Sequence, residues 1–418
     1  MQFFDHVGVD VQLLAGDPKV LARTLEHRRC GGNFGDDSAF CSVHRVLPPK
    51  CASSPRWRRD AERISNRTAG TFTELSSRVP QAAGEAVYVE TAFHRSWLTI
   101  LIGLAVLLEA MIAAAAIAVG SAGYVAELVV LPRPVLISAI VLLMAAVAAW
   151  GIRESVAIAG AMTLVEVAGL VIIIAAGFAA DPGSIRTLPD TLLPPLGDAA
   201  AVSGVLSASL IAFFAFIGFD DIVNLVEEAR HPKRDLPRAL AAMLVIVTLI
   251  YILVCFVVVR GVPAEDMAST DAPISLLFER LTGFSPLAIT LIAVVATMNG
   301  VVIVLIMAAR VAYGMARKGR LPAWIERVSP RTRTPLTATA LITAFVLVLA
   351  LFTPLEILAE TTSVVILAVF FVVNLALLWL KLRQVPAPES GFRVPIVVPA
   401  LGAAGCPGLL IGPLVLGP

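Results

Sequence analysis

Charged side chains are scarce in this chain. They make up 15% of its 418 residues, whereas soluble domains carry about 25%. Hydrophobic residues make up 58%, and the net charge is only +1. No basic block with interleaved aromatic residues occurs, so no nucleic acid partner is expected. The composition predicts a polytopic membrane protein whose surroundings are the lipid bilayer.

The sequence motifs of hydrolytic enzymes and of potassium channels are also absent. No HExxH or GxSxG sequence occurs, and no histidine lies inside an apolar run, since His94 and His231 flank such runs. The chain lacks a recognisable catalytic base or nucleophile, and we expect no enzymatic activity. No sequence resembles the TVGYG filter either, which disfavours a potassium channel.

The five cysteines are scattered and form no disulfide framework. Cys41, His44 and Cys51 are the set that comes nearest to a group of metal ligands. Their spacing fits no zinc pattern. We therefore expect no metal ion and no cofactor.

Two regions of different composition divide the chain. Residues 1–96 contain no run of about 18 apolar residues and no signal peptide. Within them, residues 23–67 are rich in Arg, Gly, Ser and Cys without a helical or strand period, which favours disorder. We predict a polar, largely disordered head at 1–96 and a transmembrane domain at 97–418.

About nine apolar runs follow, each near the ~20 residues that a bilayer requires. They are 97–124, 134–152, 155–179, 202–226, 239–259, 286–310, 336–353, 361–380 and 394–415. Basic side chains concentrate in alternate loops and acidic side chains in the others. This alternation predicts that the head is cytoplasmic. An odd number of spans then places the C-terminus outside.

The run at 202–226 contains an interruption. Its helical pattern falters at Gly218, because glycine is a poor residue for a helix interior. Asp220 and Asp221 follow at once and suit the first turn of a new helix. A broken span leaves backbone groups without partners at depth, which is tolerated where they face protein or a watery cavity. Transporters commonly bind their substrates at such breaks. The alternative is a glycine kink in a packed helix.

Three polar side chains lie deep inside predicted spans. Glu109 and Glu166 fall near the middle of the membrane by their distance from the span ends. A carboxylate at that depth is a candidate for carrying a proton in a transport cycle, with a structural, hydrogen-bonded Glu as the alternative. Asn299 is a candidate for contacting the substrate or for joining two helices.

Five stretches of the chain carry family-like motifs. They are TELSSRVPQAAGEAVYV, FFAFIGFDDIVNLVEEARHPKRDLPRA, NGVVIVLIMAARVAYGMARKGRLP, LAETTSVVILAVFFVVNLALLWLKLR and FRVPIVVPALG. Together they resemble the amino acid–polyamine–organocation permease superfamily, in its cationic amino acid transporter branch. The resemblance covers residues 71–404. The second and third motifs are the specific ones, and they resemble the family's sixth and eighth spans.

The resemblance implies an all-α, polytopic membrane helix bundle with a partial 5+5 inverted-repeat fold. It implies a secondary active permease of the plasma membrane that carries amino acids or related amines by alternating access. The substrate would lie at the broken span, lined by Ala215, Phe216, Ile217, Gly218 and Phe219. Glu166 falls where many relatives carry a Lys linked to proton coupling. Either H⁺ or a counter-transported amino acid is then the driving partner, and the oligomeric state stays open.

The chain departs from this family at its N-terminal side. Relatives have two spans before TELSSRVP, and the first carries a Gly-x-Gly break that binds the substrate carboxylate. GGNFG at 31–35 does not lie in an apolar run and does not match that break. One interpretation is a truncated or frame-shifted permease, which would be a remnant without transport activity or a subunit completed by a partner.

The truncation hypothesis makes a prediction at the level of DNA. Translating the upstream sequence in the other two frames is expected to show an apolar run that contains Gly-x-Gly, because the sequence changes abruptly near Thr71 from polar to family-like. If neither frame encodes such a run, the hypothesis fails.

Overall fold

The computed structural model describes residues 68–79, 84–187, 217–220, 232–263, 266, 270, 272–386 and 392–416. Within these ranges the regular structure is helical, and no strand occurs. The prediction of an all-α polytopic bundle is therefore confirmed.

The helices follow one another along the chain with short connections. They are α1 (68–78), α2 (Gly84–Phe93), α3 (Ser96–Ala126), α4 (Arg133–Trp150), α5 (Ile152–Ala180), α6 (Pro232–Gly261), α7 (Pro273–Thr282), α8 (Leu287–Arg317), α9 (Leu336–Phe352), α10 (Leu355–Leu382) and α11 (Val397–Leu416). Short 3₁₀ turns lie at Ser184–Thr187 and Ala323–Glu326. Six helices, α3 to α6, α8 and α10, are long and apolar enough to cross a membrane, and α9 and α11 are shorter apolar helices.

Each predicted apolar run except 202–226 falls on one of these helices. Of that run, only residues 217–220 belong to the part of the chain that the structure describes. Proline starts several spans: Pro286, Pro335 and Pro354 each precede the first helical residue of α8, α9 and α10. Its fixed φ suits that position, and its missing N–H is not needed in a first turn.

Helix α3 lies at the centre of the bundle and packs most extensively against α8 and α10. From Ala113 to Ala116 its side chains are at most 2% exposed. Small side chains let neighbouring backbones approach closely in a membrane, where apolar burial alone does not drive helices together. Interhelical hydroxyl contacts complement this packing, since Thr297 of α8 donates a hydrogen bond to Ser121 of α3 over 2.9 Å.

Helices α1 and α2 belong to the bundle, although both lie in the region that composition assigns to a polar head. Phe72 and Leu75 of α1 are fully buried, as is Val89 of α2. The described part of α1 and the whole of α2 are shorter than an apolar run of spanning length. Polar side chains of both helices are buried as well. Those of α1 form hydrogen bonds and ion pairs with residues of distant helices.

Glu74 of α1 is the centre of an ionic contact between three segments. Its carboxylate accepts hydrogen bonds from Arg78, from Lys381 at the end of α10 and from the backbone N–H of Val394 before α11. The distance to Lys381 Nζ is 2.7 Å, and the Glu74 side chain is fully buried. Burial by itself raises the pKa of Glu74, but the bonds from Lys381, Val394 and Arg78 outweigh it, so that its pKa lies below the ordinary value.

Asn374 of α10 contacts both α1 and α11. Its side-chain oxygen accepts a hydrogen bond from the Thr71 hydroxyl over 2.7 Å. Its amide nitrogen donates a hydrogen bond to the Thr68 hydroxyl over 3.0 Å. The amide also donates to the Phe370 carbonyl within α10. On the other side, Gly402 of α11 lies so close that an added Cβ would collide with the Asn374 carboxamide.

We predict that Gly402→Ala destabilises the protein whereas Gly408→Ala does not. A methyl group at 402 displaces the Asn374 amide and its bonds to α1, at an expected loss of about 1–3 kcal/mol. Gly408 lies in the same helix, and a Cβ there has no atom within 4 Å. Its replacement by Ala is expected to leave stability unchanged or to raise it by up to ~1 kcal/mol.

The measurement is the midpoint of thermal unfolding of the detergent-purified variants. Equal midpoints for the two variants would contradict the role assigned to Gly402.

Candidate functional site

Residues Ile217–Asp220 form a turn inside the bundle. Gly218 has φ of +113°, a value that residues other than glycine rarely adopt. Its N–H donates to Oδ1 of Asp220 over 3.0 Å, and Phe219 and Asp220 are 0% and 3% exposed. Ala215 and Phe216 lie outside the described residues.

Phe219 fixes this turn to two other helices. Its ring meets Phe72 of α1 at a centroid distance of 5.6 Å, edge to face, and Phe370 of α10 at 5.3 Å. Phe72 and Phe370 also meet each other at 5.3 Å. Aromatic contacts of this geometry add about 0.5–1.5 kcal/mol each beyond simple burial. Phe219 therefore anchors the turn.

Three buried carboxylates surround the same region. Glu109 comes from the middle of α3, Asp220 from the turn and Glu85 from the start of α2, and they are 6%, 3% and 1% exposed. Asp220 and Glu85 are acidic neighbours of Glu109. Buried carboxylates that lie near one another are chemically suited to bind a proton or an organic cation.

A second polar group lies between α5 and α8. Asn299 is fully buried and donates from its amide to Thr163 Oγ1 over 2.9 Å. Its side-chain oxygen accepts no hydrogen bond from the residues that the structure describes. Glu166, 2% exposed, follows Thr163 by three residues and so lies on the same face of α5. The structure thus brings Asn299 and Glu166 to one seam, while Glu109 belongs to the group around the turn.

No metal centre is formed by the described residues. No three His, Cys, Asp or Glu side chains among them are arranged as ligands. Cys41, His44 and Cys51 lie outside the described ranges.

Two members of the site were not identified from sequence as acidic partners of Glu109. The sequence assigns Asp220 to the first turn of a new helix, although a carboxylate within an apolar run is itself a signal of function. Glu85 lies in a short helix and carries no local signal. Only the packing of α2 against α3 brings its charge near Glu109.

The sequence profile described as amino acid permease matches residues 69–415. The chain belongs to this family. The match confirms the resemblance to the amino acid–polyamine–organocation superfamily. Family membership and the long apolar helices together establish a multi-pass membrane protein.

Individual relatives carry different solutes according to their names. The branched-chain amino acid permease BcaP of Bacillus subtilis is 27% identical over 82% of this chain and 76% of its own length. The vacuolar cationic amino acid transporter 2 of Arabidopsis thaliana is 31% identical over 77% of this chain. The methylthioribose transporter of Bacillus subtilis is 27% identical over 80% of it. These relatives are transporters, which confirms the expectation that the chain is not an enzyme.

The chain spans about three quarters of the length of the two bacterial relatives, at 76% and 75%. It spans just over half of the plant transporter, at 53%.

Proposed function

We propose that this family member is a secondary active transporter of amino acids or related amines, with its substrate bound at the turn around Gly218. The observation that carries the proposal is the φ of +113° at Gly218 in a fully enclosed turn. An α-helix has φ near −63°, so the ladder of helical hydrogen bonds does not continue regularly through such a residue. The Gly218 N–H itself donates to Asp220, and in this proposal other backbone groups released at the break bind the substrate.

A zwitterionic amino acid fits the chemistry of this region. The sequence predicts a new helix after the turn, and the dipole at the start of such a helix would favour the substrate carboxylate. The substrate ammonium group would face the acidic side of the site, where Glu109, Asp220 and Glu85 are buried. The names of the relatives range from branched-chain to cationic amino acids. We therefore leave the substrate side chain unspecified within the class.

The transport cycle would proceed by alternating access in a 5+5 inverted-repeat bundle. In this proposal the turn moves with the group of helices that carries it. Phe219 contacts both α1 and α10, so a relative movement of these two helices would open or close one side of the site. This contact makes Phe219 a residue that transmits the movement, in addition to lining the site with Ile217.

The coupling group in this proposal is Glu109, with Glu166 as the second candidate. Glu109 interacts with two other buried carboxylates, so the arrival of a substrate ammonium changes the electrostatic cost of holding a proton there. Glu166 lies in the separate seam with Asn299 and Thr163. The driving partner is H⁺ or a second amino acid moving in the opposite direction.

We place the transporter in the plasma membrane with its N-terminal side in the cytoplasm. The support is the alternation of basic and acidic loops along the chain. The vacuolar location named for one relative offers the alternative membrane. Fractionation of cells that express a tagged chain separates the two.

We predict that Gly218→Leu abolishes uptake while membrane insertion is retained. The leucine side chain fills the turn. The turn also forces leucine into a backbone conformation that costs about 1–3 kcal/mol for a residue other than glycine. The measurement is uptake of a mixture of radiolabelled amino acids by proteoliposomes. Insertion is checked by extraction and by size-exclusion chromatography.

The matched control for Gly218→Leu is Gly283→Leu. Gly283 ends α7 with φ of +70° and has open space around it, so this variant imposes comparable backbone strain away from the site. Uptake by the control is expected to equal that of the unaltered chain. Normal uptake by Gly218→Leu, or equal loss in both variants, would contradict the assignment of the site.

We predict that Glu109→Gln uncouples transport from the proton gradient. Gln keeps the shape of the side chain but carries no titratable proton, so uptake driven by an imposed pH gradient is expected to fall at least about tenfold. Exchange of internal for external amino acid is expected to continue. The two modes are measured in the same proteoliposomes.

Glu360→Gln serves as the control for Glu109→Gln, because Glu360 is exposed on α10. Gradient-driven uptake by Glu109→Gln at the level of this control would exclude Glu109 as the coupling group. Loss of exchange together with gradient-driven uptake would assign it a structural role instead.

A further inference from the structure

The tryptophans of the described region gather at one face of the membrane. Trp97 lies at the start of α3, Trp150 and Trp379 at the ends of α4 and α10, and Trp324 in the 3₁₀ turn after α8. They are 65%, 66%, 40% and 45% exposed, in that order. Tertiary contacts join these ends, since Thr334 donates to the Ala149 carbonyl. Exposed tryptophan is typical of the headgroup level of a bilayer.

Aromatic and basic side chains meet closely at one point of this face. The ring of Phe93 at the end of α2 lies 6.0 Å from that of Trp379. The Arg383 guanidinium carbon lies 4.5 Å above the Trp379 ring. Arg95 follows Phe93 by two residues and is exposed, as are His94 and Arg383. The contact therefore brings two cationic segments, 94–95 and 381–383, to the same edge of the bundle.

These two arginines have no acidic partner among the described residues. No Asp or Glu occurs in 91–99 or in 375–386. Of the acidic groups on neighbouring elements, Glu90 is paired with Arg320 at 2.7 Å, and Glu74 is buried against Lys381. Arg383 contacts an aromatic face in place of a carboxylate, which leaves its hydrogen-bond donors available to an anion.

An exposed apolar stripe begins beside Arg95 and continues along α3. Trp97, Leu101, Leu104 and Leu108 are 65%, 54%, 45% and 44% exposed. Their spacing places them on one face of the helix. The surface thus presents cations at its edge and a continuous apolar strip of several turns below them. A ligand that matches both parts is an amphiphile with an anionic head.

We propose that this surface binds an anionic phospholipid. The phosphodiester lies at Arg95 and Arg383, the glycerol region contacts Trp97 and Trp379, and one acyl chain follows the stripe on α3. The stripe decides for a lipid over a free phosphate ion, because a small anion has no contact with Leu101, Leu104 or Leu108. Clusters of Lys and Arg next to membrane-spanning helices are attracted to anionic headgroups.

The test compares lipid binding by native mass spectrometry of the detergent-purified chain. Phosphatidylglycerol, phosphatidylcholine and glycerol phosphate are titrated separately, and the dissociation constant of the first bound molecule is determined. We expect tighter binding of phosphatidylglycerol than of phosphatidylcholine, and no competition from glycerol phosphate. The double variant Arg95→Gln/Arg383→Gln is expected to weaken phosphatidylglycerol binding about 30-fold.

Arg133→Gln/Arg186→Gln is the matched control. Arg133 starts α4 and Arg186 follows α5, so both exposed arginines lie at the opposite ends of their helices from this surface. The control is expected to bind phosphatidylglycerol like the unaltered chain. Equal affinity for the two lipids, an equal loss in both double variants, or competition by glycerol phosphate would each overturn the proposal.

Discussion

A backbone N–H or C=O group without a partner costs several kcal/mol in hydrocarbon, and this constraint governs the region around Gly218. A turn at this position is tolerated only if protein encloses it. Within the turn, Asp220 accepts a hydrogen bond from the Gly218 N–H. From other helices, Phe72 and Phe370 pack against Phe219. The bundle is thus arranged around a segment that would be unstable on any lipid-exposed surface.

The buried glutamates Glu74 and Glu109 lie in different electrostatic environments. Glu74 is enclosed by Lys381, Arg78 and a backbone N–H, so its charge is compensated and the contact joins three segments. Glu109 has neighbouring carboxylates instead. A charge held by cations and hydrogen bonds contributes to the assembly of helices. Among the described residues, the charged neighbours of Glu109 are acidic.

Length and hydrophobicity were sufficient to predict the long helices, because in a bilayer a helix is the structure in which a single segment satisfies its own backbone groups. Helix α1 was not predicted by this reasoning, since its described part carries buried polar side chains whose partners lie on α10. The turn at Gly218 was predictable from glycine, but its anchors Phe72 and Phe370 were not. They come from distant parts of the chain, and no local pattern encodes such a contact. Glu85 was missed for the same reason.

The alanines from Ala113 to Ala116 have a mechanical consequence. Alanine has no side-chain rotamers, so the distance between α3 and its neighbours at this level is set by backbones and has no means of adjusting. Nearer the start of α3, Gly103 faces the flexible thioether of Met315, which adapts its shape at little cost. The spacing between α3 and its neighbours is therefore nearly fixed at mid-depth, whereas the contact near Gly103 can change its shape at little cost.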